Sequence, residues 1–284
     1  MGGSSIVSSG EQRTLRDFPG LLVLAGAGKM GGALLDGWLR LGLNAASVGV
    51  IEPSPSPQIS ALVQRGVRLN PDMRALANIS AIVLAVKPQT APEVMPTLTP
   101  MIAASTVVIS IMAGRTLQFL TRALGNRCAL VRAMPNTPAA IGRGITVAVA
   151  LRASSAQRAL AYSLLSATGG VEWIEDEALM DAVTAVSGSG PAYVFLLAEV
   201  LAQAGIAAGL PAPLAEKLAR ETVAGAGELL HRSPLAAATL RENVTSPGGT
   251  TAAALQVLMG AGSLAALMKA AVAAATERSR QLAG

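Results

Sequence analysis

The 284-residue chain contains one cysteine and one histidine, and only 2% of its residues are aromatic. A single cysteine excludes an intrachain disulfide, which suits a reducing compartment such as the cytoplasm. One histidine and one cysteine argue against a zinc site and against a Cys–His nucleophile pair, so no metal is expected. Cys128 lies in an apolar stretch and is interpreted as a small buried hydrophobe.

The scarcity of aromatic side chains also argues against a nucleic-acid-binding surface, since bases usually stack on aromatic rings. The formal net charge is +5, but Lys and Arg are scattered singly rather than gathered into a run. No nucleic-acid partner is therefore expected. Residues 243–268 carry no charge and are long enough to span a bilayer, yet Gly and Pro clusters divide them into short pieces, so no membrane span is expected either.

The first 18 residues, 1–18, are rich in Ser and Gly and then polar. They lack the apolar run of a secretory signal, and Glu11 and Asp17 argue against a transit peptide. We interpret residues 1–18 as a disordered leader.

Short apolar runs alternate with helix-like segments over residues 19–175. Because parallel strands need crossover connections, this alternation predicts a doubly wound parallel sheet covered by helices, a Rossmann-type α/β domain. The predicted strands are residues 21–25, 47–51, 81–86, 106–110, 128–133 and 145–150.

Residues 176–284 are rich in alanine, show helical spacing and contain no strand candidate, which predicts an all-helical second domain. Their apolar content exceeds what a bundle of this size needs to cover itself. We therefore expect a partner subunit to bury the surplus. The longest predicted helices are residues 193–208, 213–230 and 264–282.

The first candidate site is the turn Gly26-Ala27-Gly28-Lys29-Met30-Gly31, between a predicted strand and a predicted helix. Glycine allows a tight turn and a close approach of the backbone to a pyrophosphate. The helix that follows directs its unpaired N–H groups and the positive end of its dipole at the phosphates. In this context the turn predicts dinucleotide binding rather than a plain βα turn.

Glu52 follows the second predicted strand, where an acidic side chain would accept hydrogen bonds from the adenosine ribose hydroxyls. A carboxylate there repels a 2′-phosphate and favours NADH. The hydroxyls of Ser54 and Ser56 could instead bind that phosphate and favour NADPH. The expected cofactor is NADH or NADPH, with a slight preference for NADH on charge alone.

Two loops at the carboxyl ends of predicted strands are further candidates, because ligands bind at that edge of an open α/β sheet. In Ala85-Val86-Lys87-Pro88, the lysine could contact an anionic ligand or could be an ordinary surface residue. Met134-Pro135-Asn136-Thr137-Pro138 presents Asn136 on a rigid loop, unless this loop is a purely structural turn.

Residues 187–193 and 245–251 are two clusters of Gly, Ser, Thr and Pro within the helical part, each before a helix-like segment. Such a helix start offers free backbone N–H groups, which suit a carboxylate. An ordinary capped loop between helices has the same composition and remains the alternative.

Together, these motifs resemble those of the pyrroline-5-carboxylate reductases, and the resemblance runs from about Leu21 through nearly the whole chain. The two clusters in the helical part, in this order and separation, are its specific carriers. The resemblance implies an N-terminal Rossmann domain and a helical domain that interlocks with its twin in a homodimer, often within a ring of dimers. Glu52 departs from the family, which commonly has a small or hydroxyl residue there, and residues 231–240 fit it poorly.

The implied reaction is hydride transfer from NADH or NADPH to the imine carbon of pyrroline-5-carboxylate, a small cyclic imine acid, which gives L-proline in the last step of proline biosynthesis. Thr251 matches the threonine that contacts the imine nitrogen and is the implied catalytic residue. The implied substrate-binding residues are Glu177, Ser246, Gly248, Gly249, Thr250 and Thr251. The implied cofactor-binding residues are Gly26, Ala27, Gly28, Lys29, Met30, Gly31, Glu52, Ser54, Ala85, Val86, Lys87, Pro88, Ala113, Gly114, Asn136 and Asn243.

Two other functions stay open. A related Rossmann reductase of imines or β-hydroxyacids is one, but the β-hydroxyacid class needs a catalytic lysine in the helical domain. Lys217 and Lys269 are the only lysines there, and neither has a Gly/Asn-rich setting. A catalytically silent dinucleotide-binding dimer is the other, and the presence of Thr251 and of both clusters argues against it.

Overall fold

The computed structural model describes residues 14–72 and 75–283. These residues form two compact units. The first contains the described residues up to Val183 together with those from Leu282 onward, and the second spans Thr184–Gln281. The sequence predicted a boundary after Glu175. The boundary lies later because Met180 is 1% exposed and belongs to the core of the first unit.

The first unit is an eight-stranded sheet with helices on its faces. Its strands are β1 (Leu21–Ala25), β2 (Val48–Ile51), β3 (Arg68–Leu69), β4 (Ile79–Leu84), β5 (Val107–Ser110), β6 (Ala129–Met134), β7 (Gly144–Leu151) and β8 (Gly169–Trp173). Its helices are α1 (Lys29–Arg40), α2 (Pro57–Ala61), α3 (Ala91–Leu98), α4 (Leu117–Leu124), α5 (Ser155–Leu165) and α6 (Met180–Val183).

The strands lie in the order β3-β2-β1-β4-β5-β6-β7-β8. The order reverses between β1 and β4, and in doubly wound sheets the crevice outside the carboxyl ends of the strands at that point holds the ligand. All neighbours are parallel except β6 and β7. The connection between those two contains only the short turn Thr137–Ile141, and an antiparallel pair is the arrangement that so short a connection allows.

The prediction of a doubly wound α/β sheet followed by a helical domain is confirmed. Two strands were missed. β3 has only two residues, and β8 has one buried residue, Val171, beside two glycines, the exposed Glu172 and the half-buried Trp173. Neither segment has the continuous apolar run by which the other strands were found.

Alternate residues of β1 pack into two separate cores. Leu22 and Leu24 belong to the core that contains Trp38 of α1, whereas Val23 belongs to the core that contains Met95 of α3. These three strand residues and two helix residues are all fully buried. A strand buried on both faces explains why this segment is apolar throughout instead of alternating.

The predicted disordered leader, residues 1–18, is wrong for residues 14–18. Leu15 is 4% exposed, its N–H donates to the Leu41 carbonyl at 2.8 Å, and Phe18 packs against the same core. The remainder of the predicted leader lies outside the described residues.

The second unit is helical throughout. A π-helical turn, Thr184–Gly188, leads into α7 (Gly190–Ala207), which is followed by α8 (Ala212–Arg232), α9 (Ala237–Asn243), α10 (Thr250–Leu258) and α11 (Leu264–Ala283). α7 and α8 pack closely, since a Cβ at Gly205 would lie 3.3 Å from the Ala215 Cβ.

The helices of this unit leave many large apolar side chains exposed, among them Phe195 (68%), Val257 (77%) and Leu267 (65%). The helical stretch Glu177–Ala207 is also long and apolar enough to cross a membrane, by length and composition alone. The exposed apolar side chains continue on α10 and α11, beyond that stretch. Large apolar side chains exposed in this number usually mark a protein–protein or a membrane contact.

Trp38 gives a test of the first core. Its indole N–H donates to the Leu164 carbonyl at 2.8 Å, and the residue is fully buried. Trp38→Phe leaves that carbonyl without its donor, so we expect a loss of about 1–3 kcal/mol in the free energy of unfolding, measured by urea denaturation. The second tryptophan, Trp173, is only half-buried, and Trp173→Phe should cost clearly less. Equal losses in the two variants would contradict this assignment.

Candidate active site

The glycine-rich turn between β1 and α1 packs against the end of β4. Gly26 has φ +90°, and a Cβ there would lie 2.6 Å from the Ala85 carbonyl oxygen. A Cβ at Gly31 would lie 2.1 Å from the Gly26 carbonyl oxygen. A Cβ at Gly28 would meet nothing within 4 Å. Two glycines are therefore required by packing, and the third opens onto free space where a ligand could approach the backbone.

The N-terminus of α1 is suited to an anion. Gly28 is its N-cap, no side chain of the described residues caps it, and its first turn contains no acidic residue. Its N–H groups and the positive end of its dipole thus remain available. A dinucleotide pyrophosphate is the group that this arrangement fits.

Glu52 is held at the end of β2 by backbone groups. Its Oε2 accepts the N–H of Ala27 at 2.8 Å, and its Oε1 accepts the N–H of Ser54 at 3.1 Å. Asn70 fixes the main chain of Glu52, with its Oδ1 accepting the Glu52 N–H and its Nδ2 donating to the Glu52 carbonyl. The carboxylate is thus joined to the glycine-rich turn, and it cannot turn away without leaving the Ala27 N–H unpaired.

The two serines beyond Glu52 differ in what they do. The hydroxyl of Ser56 caps α2 by accepting the N–H of Ile59 at 3.3 Å. Ser54 is exposed, and its backbone N–H is the group bonded to Glu52. Of the two hydroxyls that the sequence offered to a 2′-phosphate, that of Ser56 is positioned by its role as the cap of α2, where it acts as a hydrogen-bond acceptor.

The loops after β4 and β5 are neighbours. The Ala85 N–H donates to the Ala25 carbonyl at 2.7 Å, and Lys87 is exposed in the turn that follows. Gly114 has φ +71°, a conformation that favours glycine. Arg115 donates to the Pro88 carbonyl and so connects the two loops. Sequence reasoning missed this arginine, although it directly follows the predicted Ala113–Gly114 contact.

Asn136 lies beyond β6, in the loop that leads to β7. Its Oδ1 accepts the N–H of Ile145 at 2.9 Å. Its side-chain oxygen therefore holds the start of β7, as expected of a structural turn, while the loop still lies at the carboxyl end of β6.

Glu177 forms a half-buried polar link within the first unit. Its Oε1 accepts the N–H of Leu117, the first residue of α4, at 2.8 Å and pairs with Arg132 Nη1 at 2.8 Å. The Arg132 side chain is 6% exposed. Sequence reasoning missed Arg132, and the signal was present: a charged residue within an apolar strand needs a partner when buried.

In the second unit, residues 245–251 form a turn and a helix start. The Gly249 N–H donates to the Ser246 carbonyl at 3.1 Å, and Gly248 has φ +72°, as at the third position of a type II turn. α10 begins at Thr250 with Gly249 as its N-cap and no side-chain cap among the described residues. Because the turn uses the Gly249 N–H, the groups left for a carboxylate are those of the first helical turn, which includes Thr251.

The other cluster, residues 187–193, contains the end of the π-helical turn and the start of α7. The Ser189 N–H donates to the Thr184 carbonyl at 2.9 Å in the π-helical turn, which runs into α7. Ser189 is the N-cap of α7, with no side-chain cap among the described residues. The hydroxyl of Tyr193 donates to the Ala185 carbonyl at 3.0 Å. The π-helical turn therefore satisfies one of the N–H groups that the sequence analysis expected to be open, that of Ser189.

Cys128 is buried, and burial raises the pKa of its thiol. This disfavours the reactive thiolate. Within residues 14–72 and 75–283, no three His, Cys, Asp or Glu side chains are grouped to hold a metal ion.

Comparison with known proteins identifies the family. Residues 21–114 match the family model described as "NADP oxidoreductase coenzyme F420-dependent", and residues 177–282 match the one described as "Pyrroline-5-carboxylate reductase dimerisation". Pyrroline-5-carboxylate reductase of Synechocystis sp. is 45% identical over 76% of this chain and 80% of its own length. The chain belongs to the pyrroline-5-carboxylate reductase family.

Solved structures of the family have the same fold. A pyrroline-5-carboxylate reductase of Coxiella burnetii is 34% identical, with a TM-score of 0.86 over 94% of this chain and 99% of that one. A Plasmodium falciparum pyrroline carboxylate reductase with NADP bound is 30% identical, with a TM-score of 0.77 over 93% and 98% of the two chains. The family resemblance inferred from the motifs is thus confirmed, and the helical part carries the family's dimerisation domain.

Glu52 gives a test of cofactor choice. Glu52→Ser removes a fixed negative charge beside the glycine-rich turn, so the ratio of NADPH to NADH affinity should rise at least about tenfold, well within the Coulomb energy of two nearby charges. NADH itself should bind more weakly, because the Ala27 N–H loses its acceptor. Dissociation constants for both cofactors give the readout. Glu172→Ser, the same change at an exposed position of β8, is the control, and an equal shift in the control would remove Glu52 from the assignment.

Proposed function

We propose that this protein is an NADH- or NADPH-dependent oxidoreductase that reduces the C=N bond of pyrroline-5-carboxylate to give L-proline. The observation that carries the proposal is the start of α10, where Thr251 lies in the uncapped first turn. The substrate has a carboxylate and an imine nitrogen on one small ring. Backbone N–H groups at a helix start are suited to the carboxylate, and a nearby hydroxyl is suited to the nitrogen. Membership of the pyrroline-5-carboxylate reductase family supports the same reaction.

The cofactor would be held by the glycine-rich turn, with its pyrophosphate at the N-terminus of α1 and its adenosine ribose beside Glu52 and Ser54. Further contacts would come from residues 85–88 after β4, from Ala113 and Gly114 after β5, and from Asn136 and Asn243. Bound NADH or NADPH supplies the hydride that the imine carbon receives. The fit of this group rests on the open space at Gly28 and on the uncapped start of α1.

The substrate carboxylate would be fixed by the first-turn N–H groups of α10, with Ser246 and Gly248 shaping the turn before them. The imine nitrogen would take up a proton through the hydroxyl of Thr251 or a water, with solvent restoring the proton that the hydroxyl passes on. With one bond formed at carbon and one at nitrogen, the C=N bond becomes the secondary amine of proline. Catalysis would come mainly from positioning and not from a covalent intermediate.

Glu177 would act near the substrate only through its remaining carboxylate oxygen. Its Oε1 is bound to Arg132 and to the Leu117 N–H. This pairing also supports an indirect role, in which Glu177 fixes the start of α4.

We further propose that the protein works in the cytoplasm as a homodimer that can assemble into a ring of dimers. The dimerisation domain of the family covers residues 177–282, and the exposed apolar side chains of α7, α10 and α11 fall within it. A second copy covering this surface accounts for the apolar stretch Glu177–Ala207 without a membrane.

A reductase of β-hydroxyacids remains the second candidate enzyme class. Its catalytic lysine would have to be Lys217 on α8 or Lys269 on α11, and both are exposed. Neither lysine has the Gly/Asn-rich setting expected of that class.

The reaction is tested by following oxidation of NADH and of NADPH by pyrroline-5-carboxylate in the presence of the purified protein. A second assay follows reduction of NAD⁺ and of NADP⁺ by a β-hydroxyacid. We expect turnover with the imine and none with the hydroxyacid. Cofactor binding without turnover on the imine would instead support a catalytically silent dimer.

Thr251→Ala tests the proton donor. Loss of the hydroxyl should lower kcat on the order of 10²-fold, the scale of a lost general acid, while the cofactor dissociation constant stays within about twofold. Thr251→Ser keeps the hydroxyl and should keep most of the activity. Thr276→Ala on α11, far from the motif in sequence, controls for threonine loss in a helix. Weakened cofactor binding with an unchanged kcat in Thr251→Ala would refute the role.

A further inference from the structure

We propose that Arg115 is a positioning residue that holds the loops after β4 and β5 in the arrangement the cofactor requires. The inference rests on the proposed function, which gives both loops a role in cofactor binding. Arg115 is absent from both the cofactor-binding residues and the substrate-binding residues that the family resemblance implies. It would act through the loops rather than on the reacting atoms.

The guanidinium of Arg115 is fixed on two sides. Its Nε and Nη2 donate to the Pro88 carbonyl oxygen at 3.2 and 2.8 Å. Its Cζ lies 4.6 Å from the centroid of the Phe119 ring. Hydrogen bonds from a charged donor are stronger than neutral ones, and a planar guanidinium stacked on an aromatic ring loses little further freedom when it makes them.

The contacts of Arg115 add to the backbone hydrogen bonds that already join β4 and β5 in the sheet. β4 and β5 are parallel neighbours, with Leu84 opposite Ser110. The Ile111 N–H donates to the Leu84 carbonyl at 3.0 Å, just where both strands end. Beyond the ends of the two strands, the hydrogen bonds from Arg115 to the Pro88 carbonyl join the loop after β5 to the last residue of the Ala85–Pro88 loop.

The position of Arg115 is not explained by helix stability. Arg115 directly precedes Thr116, the N-cap of α4, whose hydroxyl accepts the Phe119 N–H at 3.1 Å. A cation at the N-terminus of a helix faces the positive end of the dipole, which is unfavourable. The contact with Pro88 is the compensating interaction that the structure offers.

Loops that are already ordered bind a ligand more tightly, because binding then loses less conformational entropy. Removing the link should therefore weaken cofactor binding and leave the imine site unchanged. The expected loss in affinity is on the order of tenfold, as for one lost hydrogen bond from a charged group.

Arg115→Met removes both donors and keeps the apolar stem. NADH and NADPH dissociation constants of the full-length protein, measured by fluorescence without substrate, should each rise about tenfold. The KM for pyrroline-5-carboxylate at saturating cofactor should match that of Arg122→Met, which removes the same charge from an exposed site on α4. Arg115→Lys keeps the charge and one donor, and its dissociation constants should fall between those of the wild type and Arg115→Met.

An unchanged cofactor dissociation constant in Arg115→Met would overturn the proposal, whether the imine KM or the Tm changes instead. If Arg115→Met does not fold, a wild-type dissociation constant in Arg115→Lys overturns it. A wild-type protein that binds cofactor but does not reduce the imine would refute the proposed function alone, because the dissociation constants still test Arg115.

Discussion

The turn after β1 and the end of β4 approach so closely that their backbones are in contact, and glycine alone permits this. Gly26 adopts a positive φ, and the space where its side chain would begin is filled by the Ala85 carbonyl. Gly31 in turn packs onto the Gly26 carbonyl and brings the first turn of α1 over the carboxyl edge of the sheet. The start of α1, the Glu52 carboxylate and the loop after β4 are all positioned by this contact.

Polar side chains then fix the loops that surround this edge. Glu52 joins β2 to the glycine-rich turn, and the pair Arg132–Glu177 joins β6 to the start of α4. A largely buried ion pair adds little net stability, since desolvation offsets much of the attraction. This pair does select one geometry, because the Arg132 charge, whose side chain is 6% exposed, would be disfavoured without a partner. The proposed reaction depends on positioning, and links of this kind would serve it.

The helical unit differs from the sheet unit in how little of its apolar surface it buries. Its helices have few buried residues, and large apolar side chains such as Phe195 and Val257 remain exposed. At about 25 cal/mol for each Å² of apolar surface removed from water, covering such side chains is a major stabilising contribution. The stability of this unit and its self-association are therefore expected to be linked, so that unfolding depends on protein concentration.

Local patterns in the sequence were sufficient for much of this molecule. The apolar runs of β1, β4, β5 and β6 are buried on both faces of the sheet, so burial itself made them visible. The glycine-rich turn was equally clear, because its three positions without a side chain lie within six consecutive residues, Gly26 to Gly31. The Gly- and Ser-rich segment before α10 was visible in the same way, but its composition fitted an ordinary capped loop equally well, and the structure showed the helix start to be uncapped.

What the local patterns did not contain were contacts between distant segments. The antiparallel pairing of β7 with β6, the strand β8 and the packing of Leu15 all depend on neighbours that lie far away in the chain. Glu177 meets residues 45 and 60 positions earlier in the sequence, and Arg115 meets one 27 positions earlier. The sequence by itself indicated which residue types are suited to a dinucleotide and to a carboxylate, because those demands are local. Only the tertiary structure decided which side chains hold the loops in place, because a buried polar group takes its role from whichever partner the fold brings within hydrogen-bond distance.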